Sequence, residues 1–599
     1  MSFDQVTLVQ KKYIMRTNRA VCQSTREVLS SKLFKEIVTN FAAHLRLHNS
    51  QELNIFNGKQ VDRECTNVLI KTLQLLGEAP ADHVVNTYPE AKAFLKDPDI
   101  LNTFVEDLYN YWRSFDRFIV YCSGLNAGAG SAGSENKPHR VFNQMVEKLQ
   151  QSVREVYRNI KENITGSHPR IYRQVTAGSH IGVIAVPKEW PCPKGPYAAL
   201  LKIPMIRQIL LSPPIIFDPP MNKRTGQFQK IHTNPLEGWS ADTNEWFCFP
   251  ARVGPLLIHI FFHQTFMELG CSLANLFDLA EDEELNKKPD AIYTYGVPGD
   301  ILYRHGSFPT VFFEDSKNDI LVGAVPNKLE FGYFGYLKKM TLTLHNIVMM
   351  KQGRMPFHGA MVRILMKNGI DANILLIGDT GAGKSELLEA FRVLAGKYIR
   401  KMVIIADDMG SLEIDASGKI IGYGTETGAF VRLDDLQPGF AFGEIDRTII
   451  MSPHKINARA VLPITTMDNV LHGYPIDYLL YANNYEEIDK KLPIIERLNS
   501  CEEALCVFRE GKVMAKGTTT STGIGHTYFS NIFGPLQYKE LHDRLANEYF
   551  KAAYNAGIYV GQIRTRLGVS GWETKGPEEA AKALFGLISS RKKQNNQSK

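Results

Sequence analysis

Residues 372–385 read "ANILLIGDTGAGKS": an apolar run of strand type that closes on a glycine-rich turn. The residues that follow, "KSELLEAFRVLAG", space their apolar side chains as a helix does and end at Gly396. Gly378, Gly383, Lys384 and Ser385 satisfy G-x-x-x-x-G-K-[ST], with Asp379, Thr380, Gly381 and Ala382 between them and Glu386 directly after. Each part has a physical task. Glycines let backbone N–H groups turn inward around phosphate oxygens, and a helix N-terminus adds a partial positive charge. The lysine reaches the outer phosphates and the serine hydroxyl ligates Mg²⁺. Strand, loop and helix in this order predict a nucleotide site over Gly378–Glu386.

Downstream, "MVIIADDMGS" is an apolar strand ending in Asp407 and Asp408. Carboxylates at the end of a strand beside a phosphate loop are what a metal–nucleotide site needs; the plainer reading is a turn that caps the strand. Upstream, "FGYFGYLKKMTL" sets Lys338 beside Lys339, and His358 follows in "RMPFHG" nineteen residues after Lys339. Taken singly, a lysine pair is solvated surface and a lone histidine is a satisfied structural group.

The rest of the chain bounds these readings. At 599 residues it is long enough for two to four domains. Apolar residues make up 44% and charged ones 22%, which excludes a disordered or fibrous chain. A net charge of +6 with no basic stripe argues against a nucleic-acid partner. The eight cysteines are scattered with no C-x-x-C pair, as free thiols in a reducing compartment are. The N-terminal stretch has no signal-type apolar region. The most membrane-like run, "VGPLLIHIFFHQTFM" at 253–267, is too short to span and is expected as a buried helix. A cytoplasmic protein with no membrane partner is expected.

The fold class expected is mixed α/β. Residues 1–170 read as mainly helical, 171–345 as mixed α/β, 346–590 as an α/β nucleotide-binding domain, and 591–599 as a disordered tail. A Gly/Ala/Ser-rich loop at 123–139 separates two helical runs, and "TVFFEDSKNDILVGAVP" at 310–326 reads as a hairpin.

The ordered set "YFGYLKK", "MPFHG", "GDTGAGKS" and "ADD" resembles the ATP-type phosphoenolpyruvate carboxykinases, over roughly residues 331–590. "GTETGAFVR" at 424–432 and "INARAVLPI" at 456–464 are similar to two further segments of that family. The resemblance implies a transition metal such as Mn²⁺ held by Lys339, His358 and Asp408, with Mg²⁺ carried by ATP or GTP near Ser385 and Asp407. It places Glu426 near metal and phosphates, puts Lys338, Lys384 and Arg459 around the transferring phosphoryl group, and sets Tyr333 at the carboxylate or CO₂ side. The reaction implied is oxaloacetate to phosphoenolpyruvate and CO₂, with a small carboxylate and a nucleotide as the partners.

Two departures keep other functions in view. The family's carboxylate-gripping Gly-Arg-Ser-Pro-Lys-Asp-Lys segment is not found in 1–330, and Arg224 in "NKRTGQFQK" reads as part of a surface loop. "GDTGAGKSE" with "ADD", and the pair His358-Gly359 ahead of it, is closer to the HPr kinase/phosphorylase group. That resemblance implies a serine or small-molecule kinase with Asp407 or His358 as base. A nucleotide-binding regulator without catalysis is the third reading. Nucleotide base and oligomeric state stay open.

Overall fold

The computed structural model describes residues 3–48, 50–56, 61–122, 136–168, 175–224, 228–306, 310–379, 381–433, 443–489, 492–515, 523–532 and 535–597. Two compact units divide the chain, and the boundary differs from the expected one. The first unit is Met1–Lys188 with Pro204–Ser212; the second is Glu189–Ile203 with Pro213–Lys599.

In the first unit, strands Gln5–Val9, Lys12–Thr17, Asp116–Cys122, Ile181–Val186 and Met205–Leu211 lie side by side in that order. The middle three are parallel and the outer pairings antiparallel. Helices Lys32–Leu47, Arg63–Leu76, Pro98–Arg113 and Asn136–Thr165 share one core with them, through Phe41, Leu69, Phe104, Val146 and Ile119 among others. Ser31, Asp62 and Asp97 cap the first three helices by accepting first-turn N–H groups. Burying a Leu or Phe of this kind contributes about 1.5–3 kcal/mol, so the helices are held mainly by their apolar faces. The expectation of a mainly helical 1–170 omitted the strands at 5–9, 12–17 and 116–122. Residues 123–135 of the Gly/Ala/Ser-rich loop lie outside the described residues.

The second unit carries a sheet ordered Trp246–Val253, Leu256–His263, Ala291–Val297, Ile320–Pro326, Val311–Asp315 and Gln229–Ile231. Here the expected helix over 253–267 is a strand. Gly254, at φ +53, makes the turn of an antiparallel hairpin, and Leu256–His263 runs on buried. A strand buried on both faces has no alternation to read, so periodicity does not separate it from a buried helix. The hairpin of Val311–Asp315 and Ile320–Pro326 forms as expected.

The elements that matter for the site follow. Helix α1 (Phe334–Lys351) is buried on nearly every side and packs against Ala291–Val297 and Ile320–Pro326. Next come β1 (Met355–Met366), β2 (Asp371–Ile377), helix α2 (Lys384–Tyr398), β3 (Ile399–Ala406), β4 (Met409–Ile414), β5 (Ile420–Gly424), β6 (Gly428–Arg432), β7 (Arg459–Pro463), β8 (Tyr478–Asn483) and β9 (Tyr559–Arg564). A nine-stranded sheet runs Tyr474–Pro475, β5, β4, β1, β2, β8, β9, Ile495–Arg497, with β3 paired to β1. β2, β8 and β9 are mutually parallel, and β1 is antiparallel to β2. A smaller sheet is ordered β6, β7, Ile449–Met451, Ile215–Phe217. The last helix, Lys575–Gln597, continues through the stretch from 591 that was expected to be a disordered tail. Among the described residues no helix is long and apolar enough to cross a membrane.

Candidate functional site

β2 has every residue after Asp371 buried, as its apolar run requires, and it delivers the glycine-rich loop from the middle of the nine-stranded sheet. Gly381 and Gly383 take φ +81 and +94, a region that favours glycine. A Cβ on Gly383 would stand 2.6 Å from Thr565 Oγ1. Thr565 Oγ1 donates to Ala382 O at 2.9 Å and Asn484 Nδ2 to Gly381 O at 2.9 Å, so the loop is pinned from two other segments. Lys384 opens α2, which runs to Tyr398, past the expected end at Gly396. Its Nζ folds back over the loop, donating to Gly378 O and, at 3.2 Å, to Asp379 O. Burial lowers its pKa. Thr380 lies outside the described residues.

Asp407 and Asp408 form the link between β3 and β4. Asp408 Oδ2 accepts from Lys338 Nζ at 2.8 Å, and its Oδ1 lies 3.0 Å from His358 Nε2. Lys338 Nζ is also 3.1 Å from Glu426 Oε1. One ammonium thus faces two carboxylates: Lys338 and Glu426 are each 1% exposed, while Asp408 is open to the cleft on one side. Burial opposes every charge in this group. Even so, Asp408 is held well below the usual carboxylate range by Lys338 and His358, and Lys338 is held above its ordinary value by Asp408 and Glu426. Glu426 goes the other way, pushed up to about 7 by burial, with Asp408 adding to the rise. The opposite directions have one cause. Asp408 takes the lysine's charge, and the second carboxylate becomes the proton's place.

Tyr333, Lys339, Asp379, Lys384, Asp407, Asp408 and Arg459 line one cleft of about 130 Å³, together with Gly381, Ser385, Glu386, Arg392 and Arg432. Its lining carries both signs, with Lys384 and Arg392 of α2 among the carboxylates. Asp379, Glu386, Asp407 and Asp408 come from the loop, α2 and the β3–β4 link. Arg432 and Arg459 stand directly opposite each other in the β6–β7 register. Arg459 stacks over Phe430 at 5.3 Å, and its buried Nε has no hydrogen-bond partner among the described residues. Lys339 has its pKa lowered to about 8, by burial first and then by Arg224. Burial likewise lowers the pKa of Arg224, whose neighbours include Tyr333 and Tyr336.

The expected residues therefore separate into two groups. Asp379, Gly381, Lys384, Ser385 and Glu386 of the loop converge on the cleft with Lys339, Tyr333, Asp407, Asp408 and Arg459, while Gly378, Ala382 and Gly383 do not line it. Lys338 and Glu426, expected at the phosphoryl group and beside metal and phosphates, do not line it; they form the buried charge cluster behind Asp408. His358 is 1% exposed and does not line the cleft; its ring lies 3.0 Å from Asp408 Oδ1 and 4.0 Å from Asp379 Oδ1, both of which do. Among the described residues no three His, Cys, Asp or Glu side chains gather as a metal-binding group; the expected set differs in including Lys339. Arg224 was read as surface and is instead a half-buried neighbour of Lys339. Arg432 was passed over, although "GAFVR" places it two residues from Phe430 on one strand. No protein-family model matches this chain, and no curated protein matches it. Fold and site define a mixed α/β protein in which a glycine-rich loop from a central strand opens onto a cleft lined by carboxylates, lysines and arginines.

Proposed function

We propose that this chain is an enzyme of nucleotide- and metal-dependent phosphoryl transfer to a small carboxylate or enolate, with oxaloacetate to phosphoenolpyruvate and CO₂ as its specific reaction. The observation that carries the reading is the convergence of Lys384, the Asp407–Asp408 link, Lys339 and Arg459 on one cleft. In this reading the loop amides and Lys384 hold the outer phosphates of ATP or GTP. Arg459 and Arg432 stabilise charge on the phosphoryl group in transit, where preorganised electrostatics supplies most of the catalysis. Arg224, Lys339 and Tyr333 make the cationic end that takes the substrate carboxylate. Loss of CO₂ breaks a C–C bond and leaves its electron pair as an enolate, whose oxygen takes the γ-phosphoryl group while the nucleoside diphosphate leaves.

The donor set fits a divalent cation. His358 Nδ1 faces the carbonyl of Ser530, which only accepts, so Nδ1 carries the proton. Nε2 then faces a carboxylate oxygen of Asp408 at 3.0 Å. A proton on Nε2 fills that edge, and a cation would take the proton's place there. Lys339, lowered to about 8, is able to present a neutral amine. Lys339, His358 and Asp408 would hold Mn²⁺, with Mg²⁺ on the nucleotide near Ser385 and Asp407. The metal's contribution when bound is Lewis-acid stabilisation of phosphoryl and enolate oxygens.

The test is purified protein with Mn²⁺, phosphoenolpyruvate, bicarbonate and ADP or GDP, coupled to oxaloacetate detection. Turnover is expected. ATP hydrolysis without oxaloacetate formation from any nucleoside diphosphate or pyrophosphate would sink the carboxykinase reading. One observation favours a kinase as second reading: Asp407 lines the cleft with its pKa raised by burial, as a base for a hydroxyl acceptor needs.

A further inference from the structure

Residues 527–531 form a turn with an unusual backbone. Phe529, Ser530 and Asn531 are three consecutive non-glycine residues at φ +44, +59 and +61. Such conformations are unfavourable for L side chains, and they persist only where the surroundings over-determine them. The surroundings do so here. Phe529 is buried against Phe508, His542 and Phe550, with ring centroids at 6.3, 4.9 and 6.1 Å. His542 accepts from Tyr528 Oη at 3.0 Å through Nδ1 and donates through Nε2 to Pro356 O at 3.2 Å, on β1 two residues before His358. Thr527 N donates to Gly511 O at 3.1 Å, and a Cβ on Gly511 would collide with Thr527 O at 1.6 Å.

The held turn makes two contacts with the candidate site. Thr527 Oγ1 donates to Asp379 Oδ2 at 3.0 Å, in the glycine-rich loop. The carbonyl of Ser530, in the middle of the left-handed run, receives His358 Nδ1–H. In an ordinary extended or right-handed backbone that carbonyl would point elsewhere. Histidines that ligate metals generally donate their other ring N–H to a carbonyl or carboxylate, which sets tautomer and ring orientation, and removing such a partner weakens metal binding 10–100-fold.

We propose that the turn 527–531 is a positioning element: its strained backbone aims the Ser530 carbonyl at His358 Nδ1, so that Nε2 is turned to Asp408, while Thr527 ties the same turn to the loop through Asp379. The claim about metal rests on the proposed phosphoryl-transfer reading; the claim about the ring does not.

Two measurements on the full chain separate these. In the first, ¹⁵N-histidine-labelled protein is studied by NMR at pH 8, with His358→Gln assigning the ring. A proton on Nδ1 is expected. A ring with no proton on Nδ1 overturns the proposal. In the second, Mn²⁺ binding is titrated for wild type, Ser530→Val and Asn531→Gly. Valine resists the left-handed region, so Ser530→Val is expected to bind Mn²⁺ 10–100-fold more weakly. Asn531→Gly only eases the backbone and is expected to stay within about twofold. A Ser530→Val protein that melts cooperatively and keeps wild-type Mn²⁺ affinity overturns the positioning role. If wild type binds no Mn²⁺, the phosphoryl-transfer reading falls, and the NMR result decides the turn's role on its own.

Discussion

The buried cluster of Lys338, Asp408 and Glu426 makes a quantitative prediction that separates its two carboxylates. Lys338 is enclosed, 2.8 Å from Asp408 and 3.1 Å from Glu426. Replacing it in Lys338→Met leaves an ionised Asp408 without its main counter-charge, and breaking a buried pair in this way costs about 3–5 kcal/mol. Glu426→Gln is different in kind. With its pKa pushed up to about 7, Glu426 is protonated below neutrality, and a glutamine replaces a neutral group with another of the same shape. Below pH 6 its cost should be about 1 kcal/mol, the worth of an altered hydrogen bond. The pH dependence follows from linkage. Between the unfolded value of 4.5 and about 7 the folded state binds the extra proton, so this group's contribution to stability is present at low pH and is lost as pH rises through 7. A shift of that size corresponds to about 3 kcal/mol. Glu426→Gln should remove this loss and so gain on wild type from pH 5 to pH 8. The assay is thermal melting of both variants and wild type at pH 5, 6, 7 and 8, with circular dichroism to confirm the fold. Equal destabilisation by Lys338→Met and Glu426→Gln at pH 5 would refute the reasoning, because Glu426 would then be the charged partner.

Three further expectations concern the cleft. Lys384→Ala should weaken ATP affinity at least about 100-fold with little change in melting temperature, since among the described residues Nζ bonds to loop carbonyls; unchanged affinity by calorimetry would remove the nucleotide site. Gly383→Ala should destabilise the loop by about 1–2 kcal/mol, because it adds a Cβ at φ +94 and 2.6 Å from Thr565 Oγ1; hydrogen exchange at 381–385 reads this, and unaltered protection contradicts it. Arg224→Gln should raise KM for the carboxylate substrate about tenfold and also lift Lys339 from about 8, because the guanidinium helps depress it. If the neutral amine is the active form, activity rises with pH through about 8 in wild type and at higher pH in the variant; a profile that does not move argues against the pair.

Some of this was legible in the sequence for identifiable reasons. The loop could be read because its glycines answer local demands, the φ values at 381 and 383 and the close approach of Thr565. Asp407 and Asp408 could be read because an apolar strand has to end somewhere, and two acids mark the end. Lys338 and Lys339 look alike in a string of letters. On α1, however, adjacent residues point about 100° apart. One lysine turns to Asp408 and Glu426, and its neighbour turns to the cleft. Arg224 lies more than a hundred residues from Lys339, and no local pattern announces such a contact. Leu256–His263 misled in a third way, since burial on both faces removes the alternation that marks a strand. The strained turn at 529–531 contains no glycine, the usual letter for its backbone, so its role waits for the φ angles.

The central claim is tested most directly with [γ-³²P]ATP, oxaloacetate and Mn²⁺ on wild type and Lys384→Ala. The account predicts that wild type moves the label into phosphoenolpyruvate with release of CO₂, and that Lys384→Ala does so at least about 100-fold more slowly. Label recovered only as inorganic phosphate, or on a serine of a protein acceptor, with oxaloacetate unconsumed, would contradict it.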